Sequence, residues 1–109
     1  MTAAPATLVA LSATHRTAGL DDRAAFAVAP AGVEAFYAAA REAGLAEVVL
    51  LATCNRLEAY AVGDEAAALH VRAALLRATG AEPESLDQHL RPIPGLAAVE
   101  HLFAVVAGL

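Results

Sequence analysis

The chain has a single cysteine, Cys54, and it sits in a short stretch reading L-L-A-T-C-N-R-L-E-A-Y, from Leu50 to Tyr60. A run of five apolar residues, Val48 to Ala52, leads straight into it. By residue type alone, a cysteine beside an apolar strand is a small hydrophobe, commonly buried and inert. Three local features point instead to a reactive thiol. Cys54 stands at the end of the run rather than inside it. Arg56, two residues on, can stabilise a thiolate, as can the backbone N–H groups of a tight turn. Asn55 tolerates left-handed geometry, so the turn can be sharp enough to present the thiol outward. Arg56 itself has two readings. It is an ordinary solvated arginine or a partner of Glu58, or it is a planar fork that grips a substrate carboxylate at two points, which lysine would do less well.

The second titratable candidate is His101. At helical spacing Leu96, Val99, Phe103 and Val106 form a heavy apolar stripe, and His101 points nearly opposite to it. Its neighbours on its own side, Ala97, Ala104, Val105 and Gly108, are nearly all small. A surface histidine satisfies this pattern. So does a proton donor or acceptor for thiol chemistry, approached closely by a substrate over a face of small residues. His70 and His89 have no such context and read as solvated. No histidines or acids fall at metal-ligand spacing, one cysteine rules out the thiolate zinc patterns, and no glycine-rich phosphate loop is present.

The elements that must position these groups come from a chain of 109 residues, enough for one domain with a modest core. It is 59% hydrophobic and 17% charged, far from the composition of a disordered segment. Its seven basic residues are all arginine, and the net charge of −5 argues against general nucleic-acid binding while leaving room for contact through a few arginines. No apolar run approaches a membrane span, and the N-terminus lacks the basic region of a signal peptide. A lone cysteine cannot form an internal disulfide, which fits a reducing, cytoplasmic setting.

Residues 6–13 suit a buried strand, and 14–23 are polar. Pro30 opens a helix through Val33, Phe36, Tyr37 and Ala40 that stops at Gly44. Glu47–Thr53 and Leu57–Val62 read as a hairpin with Cys54, Asn55 and Arg56 at its turn. Asp64 is a natural N-cap for an alanine-rich helix that runs to Thr79 and stops at Gly80. Ser85–Ile93, bounded by Pro92 and Pro94, reads as an edge strand, and Gly95–Leu109 as a final helix. The expected fold is α+β: a ferredoxin-like split βαβ, βαββαβ in order, over residues 1–93, plus a C-terminal helical segment over 94–109. Its antiparallel sheet is expected to carry both core helices on one face and leave the other for a partner or substrate. Fold alone does not assign activity.

Three ordered segments resemble the glutamyl-tRNA reductase family. T-C-N-R-L-E-A-Y resembles its signature around a nucleophilic cysteine. L-S-A-T-H-R-T-A-G-L-D-D-R-A-A-F resembles its N-terminal strand and following loop, and A-V-E-H-L-F-A-V-V-A-G-L the helix that brings a histidine to the site. The resemblance implies that Cys54 attacks the ester carbonyl of glutamyl-tRNA to form a thioester. NADPH then reduces the thioester to glutamate-1-semialdehyde, for tetrapyrrole biosynthesis. It further implies that Thr53, Cys54, Asn55 and Arg56 form the substrate-binding turn, with Arg56 on the glutamate carboxylate, and that His101 is the histidine important for activity. By the same resemblance the full-length family dimerises, and glutamate-1-semialdehyde aminotransferase is an expected partner.

The sequence departs from the family in two places. T-H-R-T-A-G stands where the family usually has asparagine before the histidine and proline after the alanine. The family also continues past the positions of Ala107-Gly108-Leu109 into serine, Gly-Glu and glutamine positions. The expectation is therefore an N-terminal catalytic domain, with the NADPH-binding and dimerisation domains absent and hydride transfer beyond this chain alone. The residues also admit a different class, a non-catalytic ferredoxin-like module that binds a ligand or partner and keeps the motif as a relic.

Overall fold

A four-stranded sheet forms the centre of the computed structural model, which describes residues 7–14, 27–45, 47–53, 56–63 and 65–106. The elements are β1 (Thr7–Thr14), α1 (Pro30–Glu42), β2 (Val48–Thr53), β3 (Arg56–Gly63), α2 (Glu65–Thr79), α3 (Pro83–His89), β4 (Arg91–Pro94) and α4 (Gly95–Val106). The strands lie in the order β2-β3-β1-β4, and every neighbouring pair is antiparallel. The fold is thus α+β. The polar stretch after Thr14 and the candidate cap Asp64 lie outside the described residues.

Two faces of β3 explain why its sequence shows no clean inside-out alternation. Leu57, Ala59 and Ala61 point one way, into a core with Leu11, Phe36, Ala40, Val71 and Leu75. Glu58 and Tyr60 point the other way, and they too are buried. α1 and α2 cover the first face. α2 presents Ala67, Val71, Ala74, Leu75 and Ala78, spaced as one helical stripe. α1 buries Phe36 completely, a contribution of about 1.5–3 kcal/mol from that side chain. The two helices meet closely at Gly32, where a Cβ would stand 2.4 Å from the Ala78 carbonyl oxygen.

Helix ends follow local chemistry. Pro30 occupies the first turn of α1, where its missing N–H costs nothing. Gly44 takes a positive φ of 84°, so its N–H donates to Arg41 O and the Leu45 N–H reaches back to Ala40 O. Leu45 is buried beside that turn. At the β2 edge the Leu50 N–H donates to Tyr37 Oη at 3.0 Å, so α1 occupies one donor of an otherwise open sheet edge.

Two expectations are corrected. Ser85–His89 is not strand but belongs to the helix α3. Pro83 sits in that helix's first turn with Glu84 beside it, and Leu86 is driven into the core. The strand is only Arg91–Pro94, with Pro92 and Pro94 inside it rather than bounding it; β4 is an edge strand, which tolerates residues that cannot donate to a ladder. The second correction concerns the free sheet face. α4 lies across it, with Ala98 fully buried against Ala10 and Tyr60 and with Leu8, Leu51, Ile93 and Leu102 around them. Alanine at position 98 lets the helix approach, and burial of that apolar patch favours the covered arrangement.

Candidate functional site

β3 alternates side chains between faces, so Arg56, Glu58 and Tyr60 line up on the side that α4 covers. The β1 register sets Ser12 directly opposite Glu58 and Ala10 opposite Tyr60. Ala98 docks α4 on this face, and His101, almost one turn further along, comes down onto the Glu58 carboxylate.

The result is a buried acid with four donors. Ser12 Oγ donates to Glu58 Oε2 at 2.5 Å, Arg56 Nη1 at 3.0 Å and His101 Nε2 at 2.5 Å, while Tyr60 Oη donates to Oε1 at 2.8 Å. The Glu58 side chain is 0% exposed, against 26% for Arg56 and 30% for His101. Glu58 is therefore the floor of the cluster, and the arginine and histidine form its rim. Burial pushes the Glu58 carboxyl up, but hydrogen bonds from Ser12, His101 and Tyr60 and the charge of His101 outweigh it and hold the group below the ordinary glutamate value. Burial first, then the bond to that carboxylate, pushes the Tyr60 hydroxyl well above its usual value, so it stays a donor.

An ionised carboxylate only accepts, so His101 must present Nε2–H to it, and Nδ1 is the nitrogen left over. Arg56 Nη1 also lies 3.5 Å from His101 Nε2. Both atoms are donors aimed at the same oxygen, so this is proximity and not a bond between them. Arg56 engages Glu58 by one corner, Nη1, of its five-donor fork.

The expected site residues divide as follows. Arg56 and His101, 45 positions apart, are brought within 3.5 Å. Arg56 does pair with Glu58, as its plainer reading had it. His101 does not face away from the protein: the side of α4 bearing Ala98, His101 and Leu102 is the one seated on the sheet. Thr53 is exposed at the end of β2, paired in register with Arg56. Cys54 and Asn55 lie outside the described residues. His70 is exposed on α2, whereas His89 is half-buried on α3.

Glu58, Ser12 and Tyr60 were not anticipated as site residues. A signal for Glu58 and Tyr60 exists in Arg-x-Glu-x-Tyr, which puts three hydrogen-bonding side chains on one face of a strand whose other face is purely apolar, whereas Ser12 joins them only through the β1–β3 register. Position in the centre of the sheet turns that pattern into a buried charge. All strand pairs are antiparallel, and among the described residues no three His, Cys, Asp or Glu side chains group as metal ligands would. No helix among them is long and apolar enough to cross a membrane.

Comparison with known proteins places the geometry in context. The family described as Glutamyl-tRNAGlu reductase, N-terminal domain, matches residues 11–109. The chain is 43% identical over 105 residues to a glutamyl-tRNA reductase of Teredinibacter turnerae, covering 94% of this chain and 25% of that protein. It is 35% identical over 106 residues to one from Geobacillus kaustophilus, covering 94% of this chain and 23% of the relative. Among solved structures, glutamyl-tRNA reductase from Methanopyrus kandleri superposes with a TM-score of 0.70 at 28% identity, over 94% of this chain and 23% of that one. The chain thus spans about a quarter of the length of the relatives it matches.

Proposed function

The chain belongs to the glutamyl-tRNA reductase N-terminal domain family, and from that premise we propose that it carries the nucleophilic half of glutamyl-tRNA reduction. Cys54, as thiolate, attacks the carbonyl carbon of the aminoacyl ester. A carbon–sulfur bond forms, the bond from that carbon to the ribose oxygen of the tRNA breaks, and the electron pair leaves with the oxygen. His101, with Nε2–H committed to Glu58, takes the thiol proton of Cys54 at Nδ1 as the thiolate forms and passes that same proton from Nδ1 to the leaving oxygen. Arg56, with Thr53 and Asn55 in the same turn, holds the glutamate side-chain carboxylate through the donors that Glu58 does not use.

The observation that carries this reading is the meeting of Arg56 and His101 on one buried carboxylate, beside the hairpin end that bears T-C-N-R. An inert strand end would not draw a histidine from a helix 45 positions away to the same oxygen as its arginine. We read the strand order and the antiparallel pairs as the ferredoxin-like split βαβ arrangement. Reduction of the thioester to glutamate-1-semialdehyde needs hydride from NADPH. That step, dimerisation and any transfer to glutamate-1-semialdehyde aminotransferase are assigned to parts of the protein beyond this domain. The setting is cytoplasmic tetrapyrrole biosynthesis.

The test is direct. Glutamyl-tRNA incubated with this chain should release free tRNA and leave a glutamyl adduct on Cys54, and Cys54→Ser should abolish both. Equal release by parent and variant would show that Cys54 is not the nucleophile.

A further inference from the structure

We infer that Arg91 is a second anchor for the aminoacyl-tRNA, its guanidinium taking a phosphate of the single-stranded 3′ end that carries the glutamyl ester. The inference rests on the thioester reading for where that ester lies, but the presentation of Arg91 on the site's face of the sheet stands apart from it.

An acidic chain without lysine has only its arginines to offer a phosphate. Among the described ones, Arg56 is paired with Glu58, Arg72 with Asp87 and Arg77 with Glu42. Arg41 is exposed in the last turn of α1, across the sheet from the site. Arg91 remains, and its polar contacts among the described residues are main-chain carbonyls rather than a carboxylate. The β1 register sets Arg91 opposite Ser12 on one side, as it sets Glu58 opposite Ser12 on the other. Directly opposed residues of antiparallel strands share a face, so Glu58, Ser12 and Arg91 form one row across three strands. Its ends are two strand spacings, about 10 Å, apart. His101 comes down on the inner end of that row. α4 springs from the other end of β4, at Gly95, and Arg91 stays exposed at the edge of the sheet. Its Nη1 donates to Gln88 O at 3.1 Å and Leu90 O at 3.3 Å, which caps the end of α3. That capping uses one nitrogen and fixes the guanidinium plane. Nε and Nη2 are left over, the side-on pair that fits two phosphate oxygens. With the glutamate carboxylate assigned to Arg56, the anions that remain on the substrate are the phosphates of the nucleotide strand.

The test separates a phosphate contact from a role in the fold. Arg91→Gln keeps a donor for the carbonyls of α3 and removes the charge and the fork. With glutamyl-tRNA in single turnover at low salt, its half-saturation concentration should rise about tenfold, the loss of one charge-assisted contact, with the limiting rate near that of the parent. With 3′-O-glutamyl-adenosine, which has the same ester and no phosphate, parent and variant should coincide. Independently of chemistry, binding of the RNA trinucleotide C-C-A, followed by fluorescence anisotropy, should weaken with salt less steeply in Arg91→Gln. The slope of log affinity against log salt should fall by about 0.7, one phosphate's share for a single strand. Arg91→Lys keeps the charge and should keep the slope. Arg41→Gln, on the far side of the sheet, should leave slope and half-saturation unchanged.

An unchanged slope in Arg91→Gln, or an equal loss of slope in Arg41→Gln, overturns the inference, as does a parent chain that does not bind the trinucleotide. An equal rise in half-saturation on glutamyl-adenosine also overturns it, since Arg91 would then act through the end of α3 and not through a phosphate. A parent chain that releases no tRNA, yet binds the trinucleotide with a slope that depends on Arg91, would sink the thioester reading alone.

Discussion

His101 Nε2 lies 2.5 Å from Glu58 Oε2, joining the last helix to the central strand across 43 positions of sequence. The contact is made possible by Ala98, whose small side chain lets α4 settle on Ala10 and Tyr60. It also decides which of the histidine's nitrogens is available for chemistry. One packing choice therefore reaches into the proton inventory of the site.

That dependence predicts the outcome of Ala98→Leu. Position 98 is 0% exposed, so the added carbons must push α4 from the sheet, at a cost of about 1–3 kcal/mol. The helix carries His101 with it. The expected result is a folded chain with a lower unfolding midpoint, a displaced His101 ring resonance and a slower limiting rate of tRNA release. A variant that loses stability but keeps both the resonance and the rate would show that the height of α4 does not set the histidine.

Arg56→Lys keeps the positive charge and can still reach Glu58, but it loses the planar fork. Glutamate recognition should weaken, raising the half-saturation concentration for glutamyl-tRNA about tenfold, or ~1.4 kcal/mol. The limiting rate should change little. Titration of tRNA release against substrate concentration separates the two, and a lysine variant indistinguishable from the parent would remove the carboxylate grip from the account.

Glu58 predicts an acid limb of stability. Its folded carboxyl binds a proton less tightly than an ordinary glutamate, so the stability it contributes is complete above about pH 4.3 and is lost as pH falls through the lower folded value. Urea midpoints measured downward from pH 7 should fall more steeply below that point in the parent than in Glu58→Gln. Tyr60 has the opposite sign: its raised value means that its contribution is present below about pH 10 and declines above it. Parallel curves for parent and Glu58→Gln would place the acid limb on other carboxylates.

Gly32→Ala tests the seam between α1 and α2. Within a helix, replacing glycine by alanine ordinarily gains up to about 1 kcal/mol. Here the new Cβ would stand 2.4 Å from the Ala78 carbonyl oxygen, a backbone atom that cannot turn aside. The helices must separate, and overpacking costs about 1–3 kcal/mol, so contact wins over propensity and the variant should be less stable. Denaturant unfolding gives the sign; a higher midpoint would mean that the seam yields more easily than its atoms suggest.

Local chemistry was legible in the residues themselves. The hairpin around Cys54, the proline that opens α1, the glycines that end α1 and α2, and the apolar spacing that buries Phe36 and Ala40 of α1 all follow from rules that act within a few positions. The same local reasoning misread Ser85–His89, because a short polar stretch with one leucine fits a strand or a helix equally and only the core accepting Leu86 decides. Arg56 and His101 could each be singled out by type and spacing, as could a role for Glu58 as partner of Arg56. What no local rule contains is which face α4 would cover. That is settled by the fit of Ala98 onto Ala10 and Tyr60, residues far apart in sequence. Only once that face is closed does Glu58 lose its water, and only then must one carboxylate be satisfied by serine, tyrosine, arginine and histidine together. The sequence by itself determined which chemical groups exist and which turn they flank; the tertiary structure decided that they meet, because burial of a charge is a property of the packed sheet and not of the strand that carries it.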